Sequence, residues 1–107
     1  MKDDVITLYH EVRTQDAYGR WMDGTPVPRE VYARVLSVSR TEFFDAGRNG
    51  LKPELRFDVF HGDYQGEVVV EYNGLMYSIY RTYDSGDYME LYAERKGGTD
   101  GKKYTSG

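Results

Sequence analysis

The chain has 107 residues, a net charge of −4 and no cysteine. That length makes one domain, the absence of thiols excludes disulfides and thiolate chemistry, and the acid excess argues against general nucleic-acid binding. No apolar run approaches the roughly 20 residues of a spanning helix, and Met1-Lys2-Asp3-Asp4 lacks the basic-then-apolar layout of a secretion signal.

Val5 to Val12 alternates around Thr7, Tyr9 and Glu11 and reads as a first strand. Residues 13–29 hold Tyr18-Gly19, Asp23-Gly24, Pro26 and Pro28, which is loop chemistry. Trp21 and Met22 sit inside that stretch, so the loop is expected to fold back onto the body or onto a partner. Val31 to Val38 is a second strand, with Val31, Ala33 and Val35 on one face and Tyr32, Arg34, Leu36 and Val38 on the other. Ser39-Arg40-Thr41-Glu42 fits a capping box, in which the Ser hydroxyl satisfies an orphan N–H and the Glu reaches back. Glu42 to Ala46 then forms one or two helical turns, stopped by Gly47. Arg48 to Pro53 is a polar loop.

Leu55 to Phe60 alternates Leu55, Phe57 and Val59 against Arg56, Asp58 and Phe60, a third strand. Two β-prone runs between Gly66 and Tyr83 flank Asn73-Gly74, the strongest short-range hairpin signal, because a type I′ turn needs φ > 0 at both central residues. After a Ser85-Gly86 turn, Met89 to Arg95 supplies the last strand. Residues 97–107 contain four glycines and few apolar side chains, and are expected to be a disordered tail. The pattern is all-β: a small six-stranded β-barrel over residues 1–96, with one short helix near Thr41–Ala46 and a long loop between strands 2 and 3. Closure suits so polar a chain because it removes open strand edges.

The candidate chemistry is sparse. Glu67 and Glu71, read on one face of a strand, stand about 13 Å apart, beyond the roughly 5–9.5 Å of paired glycosidase carboxylates; solvated strand charges are the better reading. His10 and His61 lack a second ligand at metal spacing. Ser37, Ser39, Ser78, Ser85 and Ser106 lack a nucleophile-elbow context. No cofactor is expected, and an enzyme has no positive support. The acids are unevenly placed: Phe57 to Glu94 carries eight against one base, Arg81. A half so acidic repels DNA phosphates.

Thr41 to Pro53 stands apart. Phe43 and Phe44 are adjacent, so a helix cannot bury both on one face. Either one packs on the barrel, or the second fills a neighbouring subunit. Arg40, Arg48 and Lys52 face Glu42 and Asp45 in number. Two bases near the loop tip suit a phosphate, and equally suit an ordinary solvated loop. The 11 tyrosines fit half-buried strands, and several fit an interface.

Taken as a set, the motifs resemble the head closure proteins of long-tailed bacteriophages, the stoppers or head–tail joining proteins. The resemblance is carried by Val31-Tyr32-Ala33, Glu42-Phe43-Phe44, the Gly-x-x-Gly-x-x-Pro-Glu loop at Gly47 to Glu54, Asp63-Tyr64-Gln65-Gly66-Glu67, Arg81-Thr82-Tyr83 and Glu90-Leu91-Tyr92. It spans roughly residues 5–96, with only a loose match over 13–29. It implies a non-enzymatic ring below the portal and its adaptor, closing the DNA-filled capsid and offering a platform to the tail. Partners implied are the adaptor or portal ring, the tail-terminator protein, further copies of the chain and packaged DNA held without sequence specificity. There is no membrane in this scheme; the location is the virion, assembled in the bacterial cytoplasm. Arg48, Asn49, Gly50, Leu51 and Lys52 are the implied channel loop, and Trp21, Phe43 and Phe44 the expected subunit contacts. The alternative class is a small OB- or SH3-like barrel that binds nucleic acid or a peptide; a third is a catalytic or ligand-binding barrel.

Overall fold

A computed structural model describes residues 4–10, 13–15, 18–19, 21–23 and 27–96. Six strands close into a barrel in the order β1 (Asp4–Tyr9), β4 (Pro28–Ser37), β5 (Pro53–Phe60), β8 (Tyr88–Arg95), β7 (Leu75–Asp84) and β6 (Val69–Tyr72). All neighbouring pairs are antiparallel. Two short strands, β2 (Arg13–Gln15) and β3 (Trp21–Asp23), pair only with each other. One helix, α1 (Arg40–Gly47), joins β4 to β5, and a 3-10 turn at His61–Asp63 follows β5. Among the described residues the architecture is thus the expected all-β barrel with a single short helix.

Alternation fills the barrel. Ile6 and Leu8 of β1, Val31 and Ala33 of β4, Phe57 and Val59 of β5, Val70, Tyr77, and Leu91 and Ala93 of β8 are all buried in one cluster. Phe57 is its centre: its ring meets Tyr72 and Tyr77 edge-on, with centroids 5.8 and 5.7 Å away. Such contacts add to the hydrophobic gain of burying each ring. A second small cluster, Tyr9, Val69 and Met76, lies on the other face of β1, β6 and β7 by the same alternation. Burial pushes the Tyr9 phenol up to about 12, helped by its hydrogen bond to Glu71. Asn73 and Gly74 take φ values of 52° and 75°, the left-handed pair that a two-residue I′ hairpin requires between Tyr72 and Leu75.

Three expectations need correction. Residues 13–29 are not loop throughout, since they contain the β2–β3 ribbon and the start of β4 at Pro28 and Arg29. Proline fits there because it is the first residue of its strand. The first strand stops at Tyr9 rather than Val12. As expected, the connection between β4 and β5 carries the short helix α1, followed by the Arg48–Lys52 turn. Glu67 is not a solvated strand charge: it precedes β6 and is 1% exposed. Residues 97–107, expected to be a disordered tail, lie outside the described residues.

Candidate functional site

The end of the barrel that carries α1 gathers most of the residues singled out in the sequence. Ser39 caps the helix, its hydroxyl accepting the Glu42 N–H at 3.1 Å. The reciprocal half of the box is not made. Glu42 instead turns to the barrel, where it accepts a hydrogen bond from the Tyr80 hydroxyl at 2.6 Å and a charge-assisted one from Arg81.

That contact depends on an irregularity in β7. Ile79 pairs with Ala93 and Arg81 with Tyr92, so Tyr80 is an extra residue, a β-bulge. Bulges kink a strand and re-aim its side chains. Here the kink sends Tyr80 and Arg81 to the helix, while the Arg81 guanidinium also lies 4.0 Å from the centroid of the Tyr92 ring. A second irregularity falls at Pro53/Leu55 on β5, the other neighbour of β8. Burial alone would raise the Glu42 carboxyl, but hydrogen bonds from Arg81 and Tyr80 and the charge of Arg81 outweigh it and hold the group below its ordinary range. The Tyr80 phenol moves up, through burial first and then through Glu42. A cleft of about 480 Å³ opens beside this latch, lined by Glu42, Asp45, Asn49, Leu51, Tyr80 and Arg81 among others.

Within α1, only Ala46 is buried. Phe43 and Phe44 are 50% and 57% exposed, with their rings edge to face at 5.8 Å. Neither ring is sealed against the barrel. The helix runs directly into a compact turn. Asn49 and Leu51 N–H groups both donate to the Ala46 carbonyl, at 3.0 and 3.2 Å, and Gly50 N–H donates to Gly47. Gly50, at φ 79°, makes the left-handed reversal. Gly47 is the last residue of α1, where the sequence placed the stop. Arg48 reaches back to Asp45 at 3.3 Å, and both side chains are exposed. The Lys52 N–H is tied to the Glu94 carboxylate at 3.0 Å; its ammonium makes no ion pair among the described residues. Of the two bases expected to face a phosphate, one is therefore half-neutralised.

Trp21 pairs with Gln15 in the β2–β3 ribbon, and its side chain lies outside what is described. Two features of the barrel wall were not foreseen. Glu67 accepts hydrogen bonds from Arg29 Nε at 2.8 Å and from the Gln65 N–H at 2.7 Å. Arg29 also donates to the Asp63 carbonyl, so one buried pair fixes the segment from Asp63 to Val69. On the outer face, Arg56 grips Asp58 bidentately at 2.9 and 3.0 Å. The Tyr80-Arg81-Thr82-Tyr83 run, which interrupts apolar alternation, was the visible trace of the bulge. Arg29 and Glu67 stand 38 residues apart, and no local pattern joins them.

Among the described residues no group of three His, Cys, Asp or Glu side chains is placed to hold a metal ion, and no helix is long and apolar enough to cross a membrane. No protein-family model matches the chain, and no curated protein matches it.

Proposed function

We propose that the chain is a structural subunit of the head–tail connector of a long-tailed bacteriophage. In this reading it forms a ring below the portal and its adaptor, closes the DNA-filled capsid, and carries the tail. The observation that carries the reading is α1. It stands at one end of a closed barrel, exposes Phe43 and Phe44 together, and buries only Ala46. Adjacent half-exposed rings on a short helix suit a surface that a neighbour covers. The motif set described above supplies the identity of that neighbour: another ring subunit, or the adaptor. The tail-terminator protein would meet the finished ring from the other side.

The turn Arg48–Lys52 is the DNA-facing part of this proposal. Lys52 is free to meet a phosphate. Arg48 must leave Asp45, but an exposed ion pair is worth only about 0–1 kcal/mol, so a phosphate can displace it. Contacts of this kind position DNA without reading its sequence. The acidic barrel wall repels DNA, which suits a channel that must not adhere to it.

The test uses filled capsids lacking this protein and the purified full chain. Wild-type chain should bind the capsids and retain DNA. The Phe43→Ser/Phe44→Ser variant should fold, by circular dichroism, yet fail to bind. A variant with Arg48–Lys52 shortened should bind but let DNA leak before tail joining. Binding and sealing by the double-serine variant at the wild-type level would refute the ring reading. Full retention by the shortened loop would reduce that loop to a connector.

A further inference from the structure

The two ends of the barrel carry opposite charge and exposed aromatic rings, and we propose that the acidic end of one copy docks on the basic end of the next. Strand register places both ends. At one, Phe60 pairs with Tyr88 and Asp84 with Met89. At the other, β4 leads into α1, β5 begins, and Pro53 pairs with Glu94. Strand β5 has eight residues and so separates the ends by about 26 Å.

The acidic end shows Phe60, Tyr83 and Tyr88, which are 56%, 54% and 43% exposed. Phe60 meets Tyr88 edge to face at 6.4 Å. Tyr83 lies opposite Glu90, on the same outer face as Tyr88 and diagonal to it. Asp63, Asp84 and Asp87 rim these rings. Asp84 takes the Gly86 N–H and a His61 ring nitrogen, and those contacts, the backbone one first, hold its carboxyl low. The carboxylates of Asp63 and Asp87 make no ion pair among the described residues. One guanidinium, Arg34, lies 6.0 Å from the Tyr88 ring centroid.

The basic end shows Phe43 and Phe44 with Arg40, Arg48, Lys52 and Arg95. Asp45 and Glu54 offset Arg48 and Arg95, and the Glu94 carboxylate at this end accepts the Lys52 N–H. Arg40 and Lys52 make no ion pair among the described residues. Each end therefore offers rings and unpaired charge, and the charges are complementary. Arginine beside a tyrosine ring is a contact the chain already makes internally, at Arg81 on Tyr92 and Arg34 near Tyr88.

Size sets the strength. Five half-exposed rings of about 200 Å² each offer roughly 500 Å² of apolar area across both ends, well short of the roughly 1,600 Å² of a standard stable interface. The contact is therefore weak, and charge steering makes it salt-sensitive. Two different patches meet, so the contact is head-to-tail, and it closes a ring only where the rotation permits. This deepens the ring reading and rests on it for the partner that templates closure; the contact itself is tested without any phage component.

The experiment is a concentration series of the isotope-labelled full chain, from tens of micromolar to millimolar, followed by backbone amide shifts at low and high salt. Shifts should move at both ends together, around Arg40–Lys52 and around Phe60–Asp63 and Tyr83–Tyr88, and the movement should fade at high salt. Asp63→Lys/Asp87→Lys and Arg40→Glu/Arg95→Glu should each lose self-association while keeping a dispersed, folded spectrum. An equimolar mixture of the two should regain it, because each reversed end then meets a complementary one. Shifts at one end only, insensitivity to salt, wild-type association by either variant, or a mixture that stays monomeric would each overturn the proposal. A capsid-binding failure with these shifts intact would strike only the phage reading.

Discussion

Removing the Arg29 guanidinium should be among the most damaging single changes on the barrel wall. Glu67 is 1% exposed, whereas the Arg29 side chain is 31% exposed. In Arg29→Met the carboxylate keeps one donor, the Gln65 N–H, and loses its cation. Stranding one member of a buried pair costs about 3–5 kcal/mol; with Arg29 partly in water the lower end, about 3 kcal/mol, applies. Glu67→Gln is milder, at about 1 kcal/mol. The amide oxygen still accepts the Gln65 N–H, and the arginine can turn to solvent. With both changes no charge is stranded, so the double variant should cost about 1–2 kcal/mol rather than the sum of about 4. Urea unfolding followed by circular dichroism reads all three variants. For a domain near this size, 3 kcal/mol lowers Tm by roughly 12 °C or more. If Arg29→Met costs less than about 1 kcal/mol, or the double variant is additive, Glu67 does not depend on Arg29 and the buried-pair account is wrong.

The Glu42 latch gives a pH dependence. Its folded-state carboxyl sits below the ordinary value of 4.5, so its contribution is present above about pH 4.5 and is lost as pH falls below that through the folded-state value. Glu42→Gln should flatten that part of a Tm-against-pH profile; an unchanged profile would mean that Arg81 does not hold the helix. Gly50→Ala forces a side chain into φ 79°, in a site with open space around the new Cβ. The penalty is thus conformational alone, about 1 kcal/mol, and a loss above about 3 kcal/mol in the same unfolding assay would contradict the open site.

How far the fold was legible follows from which signals were local. Strands β1, β4 and β5 carry period-two alternation, and Asn73-Gly74 announces its turn with a backbone requirement that few other dipeptides meet. Ser39 announces the helix start for the same reason, through one hydroxyl and one orphan N–H. The β2–β3 ribbon was hidden because its strands have three residues each, too few to display a period. The helix stop at Gly47 was legible, but the left-handed turn at Gly50 was not, because the two glycines are equally permissive. Only the turn hydrogen bonds to Ala46 and Gly47 decide which one turns left-handed.

The site was less legible because its decisive contacts cross the barrel. Glu42 read as the second half of a capping box. In the structure the barrel offers it two stronger donors, a guanidinium and a half-buried phenol, and a charged donor outcompetes a backbone N–H that solvent can also satisfy. That competition exists only because β7 bulges at Tyr80. Without the extra residue, Arg81 would fall on the opposite face of β7, since a one-residue change of register exchanges the two faces of a strand. The same insertion therefore bends the barrel wall and anchors α1. With Glu42 and Ala46 turned inward one helical turn apart, Phe43 and Phe44 are left on the flanks. Their exposure follows from the latch, not from any apolar preference readable along the helix itself.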